Sequence, residues 1–355
     1  MSILPTLAAL PESRRENDIS RLCLFAHYDV DGVIADHVRN YLEALGSCGF
    51  KIVVISTARL DMAALQGLTP DVIDVIVREN IGLDFGSWAR GFRDWAHCCT
   101  GDLLLANDSV YAPIGDLAAA VSELTENGAD VRGMVLSQEF QPHLQSWFLL
   151  FSKRVWQHPD FRTFLNQPFG DLTKTEIILR GEVGLAEFMS RNGFSCYSAF
   201  PPQKDMLPPR IAANPTHYLW REIICDAGLP FIKVELLRDN PMNLPGVSDW
   251  RTIVAEKAPA MLAPIERHLG RVRNPSAPQD QSINLFAEMV RRDYRAAREK
   301  NRIAQELNRI RFKLSGIRHR LLRLAAALYE RIEPISVVGP AAKAARDFAR
   351  RRRGS

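Results

Sequence analysis

The chain has 355 residues, 46% hydrophobic and 24% charged, an ordinary balance for a globular protein with room for one large or two modest cores. No apolar run reaches the roughly 18 residues of a membrane span, and Met1–Ser20 lacks the basic start and long apolar stretch of a signal peptide. Cys23, Cys48, Cys98, Cys99, Cys196 and Cys225 show neither zinc spacing nor a disulfide framework, so a reduced cytoplasmic protein is expected. The net charge of +4 conceals a split: Arg291–Ser355 carries 19 Lys/Arg against 6 Asp/Glu, a balance of +13, which leaves −9 on Met1–Val290.

Residues 1–20, with Pro5 and Pro11 and no period, read as a flexible N-terminal segment. Arg21–Tyr28 reads as a buried strand, and Val33–Leu45 has the spacing of a helix. A second strand, Lys51–Ile55, ends in Ser56-Thr57, and a short helix around Met62–Leu68 leads to a third strand, Val72–Val77. Arg78-Glu79-Asn80 follows, then a helix over Phe85–His97. The apolar run Leu103–Ala106 is a fourth strand that breaks abruptly into Asn107-Asp108-Ser109. A helix over Gly115–Glu126 and a strand over Val131–Ser137 continue the alternation, which predicts an α/β fold: a mostly parallel sheet with helices on both faces. Beyond Gln138, His143–Phe151 reads as a strand and Thr173–Arg191 as a long amphipathic helix. A proline-rich passage, Phe200–Pro215, leads toward Pro230–Pro241, and the ordered body ends near Val254. Residues 21–254 are thus one domain, and residues 255–355 form a basic helical C-terminal region.

Four successive strands end in polar clusters, and in a parallel sheet such ends share one edge, where ligands of open α/β sheets bind. The residues delivered there include His27, Asp29 and Asp31 after the first strand, Ser56 and Thr57 after the second, and Arg78 and Asn80 after the third. Asn107, Asp108 and Ser109 follow the fourth. Gly82 and Gly86 allow tight backbone paths, and the helix beginning near Phe85 points unpaired N–H groups into the same crevice as an anion site. Asp84 is placed either to cap that helix or to meet a ligand. Arg78 and Arg90 are phosphate candidates or structural partners of Glu79 and Asp94. An acidic side chain beside an anion cradle suits a nucleotide diphosphate, with Asp108 as candidate ligand of a divalent metal.

The stretches HYDVDG, RENIGLDFGSW, NDSVYAP, HLQSWF, EVGL and NPTHYLW...PFIKVELLRDNP, in this order over Leu22–Arg251, resemble the rhamnan synthesis protein F family. That resemblance implies a glycosyltransferase or glycosyltransferase-like protein of bacterial surface polysaccharide assembly, with a GT-A-like (Rossmann-like) nucleotide-sugar domain. It implies transfer of a sugar, rhamnose by family likeness, from a nucleotide sugar to a lipid-linked glycan acceptor such as a growing rhamnan or O-antigen. On the same analogy Ser56 and Thr57 lie near the base, the Asn80–Gly86 turn near ribose and diphosphate, and Asn107-Asp108-Ser109 in the place of an acidic DxD motif for Mg2+ or Mn2+. Only Asp108 of the three is acidic, which leaves metal dependence open. An inverting transfer also needs a general base, for which Glu182 and His143 are the candidates beside Asp108 as a further catalytic group.

Two other readings compete. YDVDGVIAD also resembles the nucleophile motif of haloacid-dehalogenase-type phosphatases, with Asp29 attacking phosphorus and Asp31 as acid/base, although no later segment supplies the lysine and acidic pair that chemistry needs. A sugar-nucleotide or polysaccharide binder without catalysis is the other. In the tail, Ile303, Leu307, Ile310, Leu314, Ile317, Leu321, Leu324 and Leu328 form a heptad seam flanked by Arg302, Arg309 and Arg323, with Arg350–Arg353 beyond. A basic amphipathic helix held peripherally on anionic membrane, at about 1 kcal/mol per basic residue, is expected there, and no nucleic acid partner.

Overall fold

The apolar runs become strands because each is short, rich in Val, Ile and Leu, and bounded by turn residues. In the computed structural model, which describes residues 18–201, 213–272, 284–300 and 302–306, ten strands are formed. These are β1 (Ile19–His27), β2 (Lys51–Ser56), β3 (Val72–Val77), β4 (Cys99–Asn107), β5 (Val110–Tyr111), β6 (Val131–Ser137), β7 (His143–Leu144), β8 (Phe148–Phe151), β9 (Cys196–Phe200) and β10 (Ile232–Lys233). The main sheet runs β3-β2-β1-β4-β8-β6-β7, with β9 beside β6, and β5 pairs with β10 in a separate ribbon.

The β3-β2-β1-β4 half is parallel, and its register pairs His27 with Ser56, Ser56 with Val77, and Ala26 with Asn107. The strand ends therefore share one edge, as the alternation predicts. Side chains alternate between two cores: Cys23, Phe25, Ile52, Val54 and Leu104 face one, and Leu24, Val53, Ile55, Leu103 and Leu105 the other. Helix α1 (Asp36–Ser47) covers the first face through Val38, Tyr41, Leu42 and Leu45, joined by α3 (Leu117–Asn127). Helix α2 (Leu83–Trp95) covers the second through Phe85, Trp88, Phe92 and Trp95. The mixed α/β class with a mostly parallel core sheet is thereby established.

Three segments depart from the sequence reading. Residues 62–67 are turns rather than a helix: the Arg39 guanidinium takes the Ala64 and Gln66 carbonyls at 2.6 Å each, acceptors that a helix would use internally. The expected strand His143–Phe151 is split. Leu136 faces Leu144 and Gly133 faces Leu149, so three steps along β6 oppose five, and the two extra residues form a bulge over Gln145–Trp147. The helix over Lys174–Arg191 holds a π-helical turn at Leu179–Val183, between α-helical Lys174–Ile178 and Gly184–Arg191. Gly181 sits in that turn, where a Cβ would collide with the Phe85 ring.

The ordered body extends past Val254. A helix over Pro259–Val272 lies on α1, with Arg267 paired to Asp36 (2.6 Å) and the His37 and His268 rings 4.3 Å apart. The first compact unit runs to Arg298. A second unit, Glu299–Ser355, is described only at its first residues, where Arg302 pairs with Glu299 at 2.7 Å, so most of the heptad seam and Arg350–Arg353 lie outside the described residues.

Candidate active site

At the carboxyl edge of the parallel strands the described residues enclose a cavity of about 760 Å³. One wall is the end of β1 with Asn107–Ser109 after β4, and the first turn of α2 (Leu83–Phe85) closes a second side. The Gln145–Trp147 bulge, the π turn and Lys233–Arg238 complete it. Both local irregularities thus face the same space.

Glu182 leaves the π turn and meets the bulge. The Ser146 N–H donates to its Oε1 at 3.2 Å, the Ser146 hydroxyl donates to the same oxygen, and His143 Nε2 lies 3.3 Å from Oε2. The other nitrogen of His143 donates to the Gln141 carbonyl at 2.8 Å. With an acceptor at each nitrogen the ring is suited to the imidazolium form. Burial would lower the His143 pKa, but Glu182 and the Gln141 carbonyl outweigh it and raise the value. Burial would raise Glu182, and the hydrogen bonds from His143 and Ser146 hold it below the usual carboxylate range. The geometry therefore makes Glu182 the carboxylate and His143 its orienting partner.

This pairing has a pH signature. Glu182 stabilises the fold above its ordinary value of 4.5, and that contribution is lost as pH falls through the depressed pKa. His143 stabilises it below its ordinary 6.5, lost as pH rises through the raised pKa. The excess stability of wild type over His143→Gln is expected to be fullest between the ordinary values 4.5 and 6.5 and to shrink on both sides. Urea denaturation across pH measures it, and a difference independent of pH would contradict the pairing.

Asp108 faces the cavity from β4. Burial pushes its carboxyl up to about 8 against the Tyr28 N–H that donates to Oδ2 at 2.7 Å, and nearby Asp84 adds to the rise. Asn107 is an organiser: its amide nitrogen donates to Asp84 at 2.7 Å, and its oxygen accepts from the Ser109 hydroxyl at 2.7 Å. Asp84 is not the N-cap of α2, which is Gly82 in the left-handed conformation; it lies in the first turn of that helix. Ser109 in turn receives Lys233 Nζ at 3.1 Å. Among the described residues no group of three or more His, Cys, Asp or Glu side chains is arranged to hold a metal ion.

The other sequence-derived candidates fall into two groups. His27 and Asp29 line the cavity, whereas Asp31, Ser56, Thr57, Arg78, Asn80 and Gly82 do not. Ser56 is wholly buried, its hydroxyl 2.9 Å from His27 Nδ1, and the Thr57 N–H continues the sheet by donating to the His27 carbonyl at 2.9 Å. Arg78 donates to the Ile81 and Leu83 carbonyls and to Ser87, which shapes the turn before α2. Asn80 is exposed, and Gly82 abuts Phe169. Arg90 pairs with Asp94. His27 and His268 are pushed down to about 4 by burial and buried His37 is lowered too, so these three rings are uncharged at neutral pH.

Asp29 and Asp31 are held by Arg271, from a helix that the sequence reading placed outside the ordered body. Arg271 grips both Asp29 oxygens at 2.8 and 3.2 Å and also pairs with Asp31. Burial would raise Asp29, but Arg271 and the Asp31 N–H keep it below the usual range. A carboxylate clamped on both oxygens is not poised to attack phosphorus, so the phosphatase reading finds no support. The clamp walls the cavity from a second hollow of about 700 Å³ that Asp31 and Arg271 line. Sequence reasoning missed Arg271, Ser146, Lys233 and Arg238. Ser146, Lys233 and Arg238 lie inside the family-like stretches HLQSWF and PFIKVELLRDNP, but nothing in their local pattern sets them apart.

The chain is 29% identical to virulence protein VirA of Vibrio anguillarum over 202 residues, 48% of this chain and 64% of that protein. It is 26% identical to the uncharacterized protein y4gN of Sinorhizobium fredii over 170 residues, 46% of this chain and 44% of that one. The matched stretch thus spans less than two thirds of either relative. The family description of rhamnan synthesis protein F matches residues 52–308, which include all of β2 but its first residue, β3 to β10, the bulge, the π turn and Arg271, while Asp29 and Asp31 precede it. With most of its length so matched, the chain belongs to the rhamnan synthesis protein F family.

Proposed function

We propose that the protein is a glycosyltransferase of surface polysaccharide synthesis that moves a sugar, rhamnose by family likeness, from a nucleoside-diphosphate donor to a growing glycan. The observation that carries this is the Glu182 carboxylate, fixed by Ser146 and His143, in the same cavity as Asn107–Ser109 at the edge of a parallel sheet. The β3-β2-β1-β4 order with its cavity at the carboxyl edge supports the GT-A-like reading. In an inverting displacement the acceptor hydroxyl oxygen attacks the anomeric carbon, and the bond from that carbon to the phosphate oxygen breaks. The electron pair leaves on the diphosphate, and Glu182 takes the hydroxyl proton.

A lipid-linked acceptor fits the mouth of the cavity. Tyr28, Val30, Leu83 and Phe140 line it and are 54%, 68%, 40% and 60% exposed, an apolar rim around a polar interior. No helix among the described residues is long and apolar enough to cross a membrane.

A screen of nucleotide sugars tests the reading. The matching donor, at about 100 times its Kd, is expected to stabilise the fold by about 2.7 kcal/mol, read as a higher melting temperature. Failure of every nucleotide sugar and nucleoside diphosphate to stabilise the chain, with or without divalent ions, would sink it.

A further inference from the structure

The donor reading has a charge requirement. When the bond to the sugar breaks, the terminal phosphate gains negative charge, and a cation held in place lowers the barrier. At the end of β4 the side chains on either side of Asp108 are neutral. The position of Ser109, where a DxD motif carries its second acid, is met by an ammonium group, Lys233 Nζ at 3.1 Å.

That placement is built into the backbone. The β5–β10 ribbon pairs Lys233 with Val110 and Ile232 with Tyr111, and the Val234 N–H donates to the Ser109 carbonyl at 3.0 Å. The Lys233 ammonium lies over the Trp147 ring, with Nζ 6.0 Å from its centroid. Besides meeting Ser109, its charge helps to hold the Glu182 carboxyl below its ordinary range. Arg238, the other Lys or Arg among the described residues that line the cavity, pairs with Asp239 at 2.7 Å.

The cavity's carboxylates are meanwhile engaged by the chain itself. Asp29 is held by Arg271, Asp84 by Asn107 and Asp108 by the Tyr28 N–H. Glu139 receives Asn214 at 3.2 Å, Glu182 receives Ser146, and Glu235 lies 3.8 Å from His217. They form an internal network rather than a chelating set.

We propose that Lys233 is the fixed counter-cation of the leaving diphosphate, taking the place of a divalent metal ion, so that donor binding and transfer proceed without one. This rests on the glycosyltransferase reading and deepens it. Lys233 keeps its proton throughout: it donates a hydrogen bond to the phosphate oxygen that receives the electron pair, while the hydroxyl proton goes to Glu182.

The test uses the full chain and calorimetric titration with UDP, GDP and dTDP, each in EDTA and in Mg2+. Wild type is expected to bind at least one diphosphate in EDTA, with Mg2+ changing Kd by less than about 3-fold. Lys233→Met is expected to weaken that diphosphate about 10- to 100-fold, the worth of one charged hydrogen bond, and the matching monophosphate by less than about 3-fold. Lys233→Arg, which keeps the charge, should retain most of the affinity. Diphosphate binding that requires Mg2+, or that ignores Lys233→Met, overturns the proposal and leaves the glycosyltransferase reading intact. No diphosphate binding under any condition removes that reading itself. The EDTA comparison on wild type decides the metal question even if Lys233→Met does not fold.

Discussion

Glu182→Gln is expected to lower sugar transfer by about 10²- to 10⁴-fold while nucleotide affinity stays within about 3-fold. The amide keeps the shape and still offers Ser146 an acceptor, but it cannot take the acceptor's proton. It also sets an N–H toward His143 Nε2, the nitrogen now 3.3 Å from a carboxylate oxygen, so His143 should lose its raised pKa. Transfer assays with the matching donor, alongside binding and melting measurements, separate loss of the base from loss of the fold. Turnover within a few-fold of wild type would remove Glu182 from the mechanism.

Arg271→Ala is expected to cost about 3 kcal/mol of folding free energy, because it strands a buried carboxylate. Asp29 has a side chain only 4% exposed, while Arg271 is 31% exposed. That exposure places the loss toward the lower end for a broken buried pair. The midpoint of thermal unfolding should fall by roughly 6–12 °C, and adding Asp29→Asn should restore part of it, since the uncompensated charge is then gone. An unchanged midpoint would mean that water already screens the pair.

The parallel half of the fold was legible in the sequence because each strand is a self-contained signal: Val72–Val77 begins and ends where the pattern places it, and Lys51–Ser56 differs by one residue. The bulge and the π turn were not legible, since each inserts residues without changing the surrounding apolar period. Helical spacing continues through Leu179–Val183 although the hydrogen bonding changes. Site residues next to regular strand ends were found, as with Asp108 and Asn107. Lys233 and Arg271 were missed because they come from distant segments whose local pattern says only strand or helix; the Lys233–Ser109 contact joins residues 124 positions apart.

That separation sets the order in which the cavity is completed. A nascent chain that has emerged only as far as Ala213 contains every strand of the parallel half but has no positive charge beside Ser109, and its two aspartates after β1 have no arginine. Under the proposed function, diphosphate affinity would be absent from such a chain until the segment from Pro215 to Val272 is in place, so a nucleoside diphosphate added during refolding is expected to report that step rather than sheet formation.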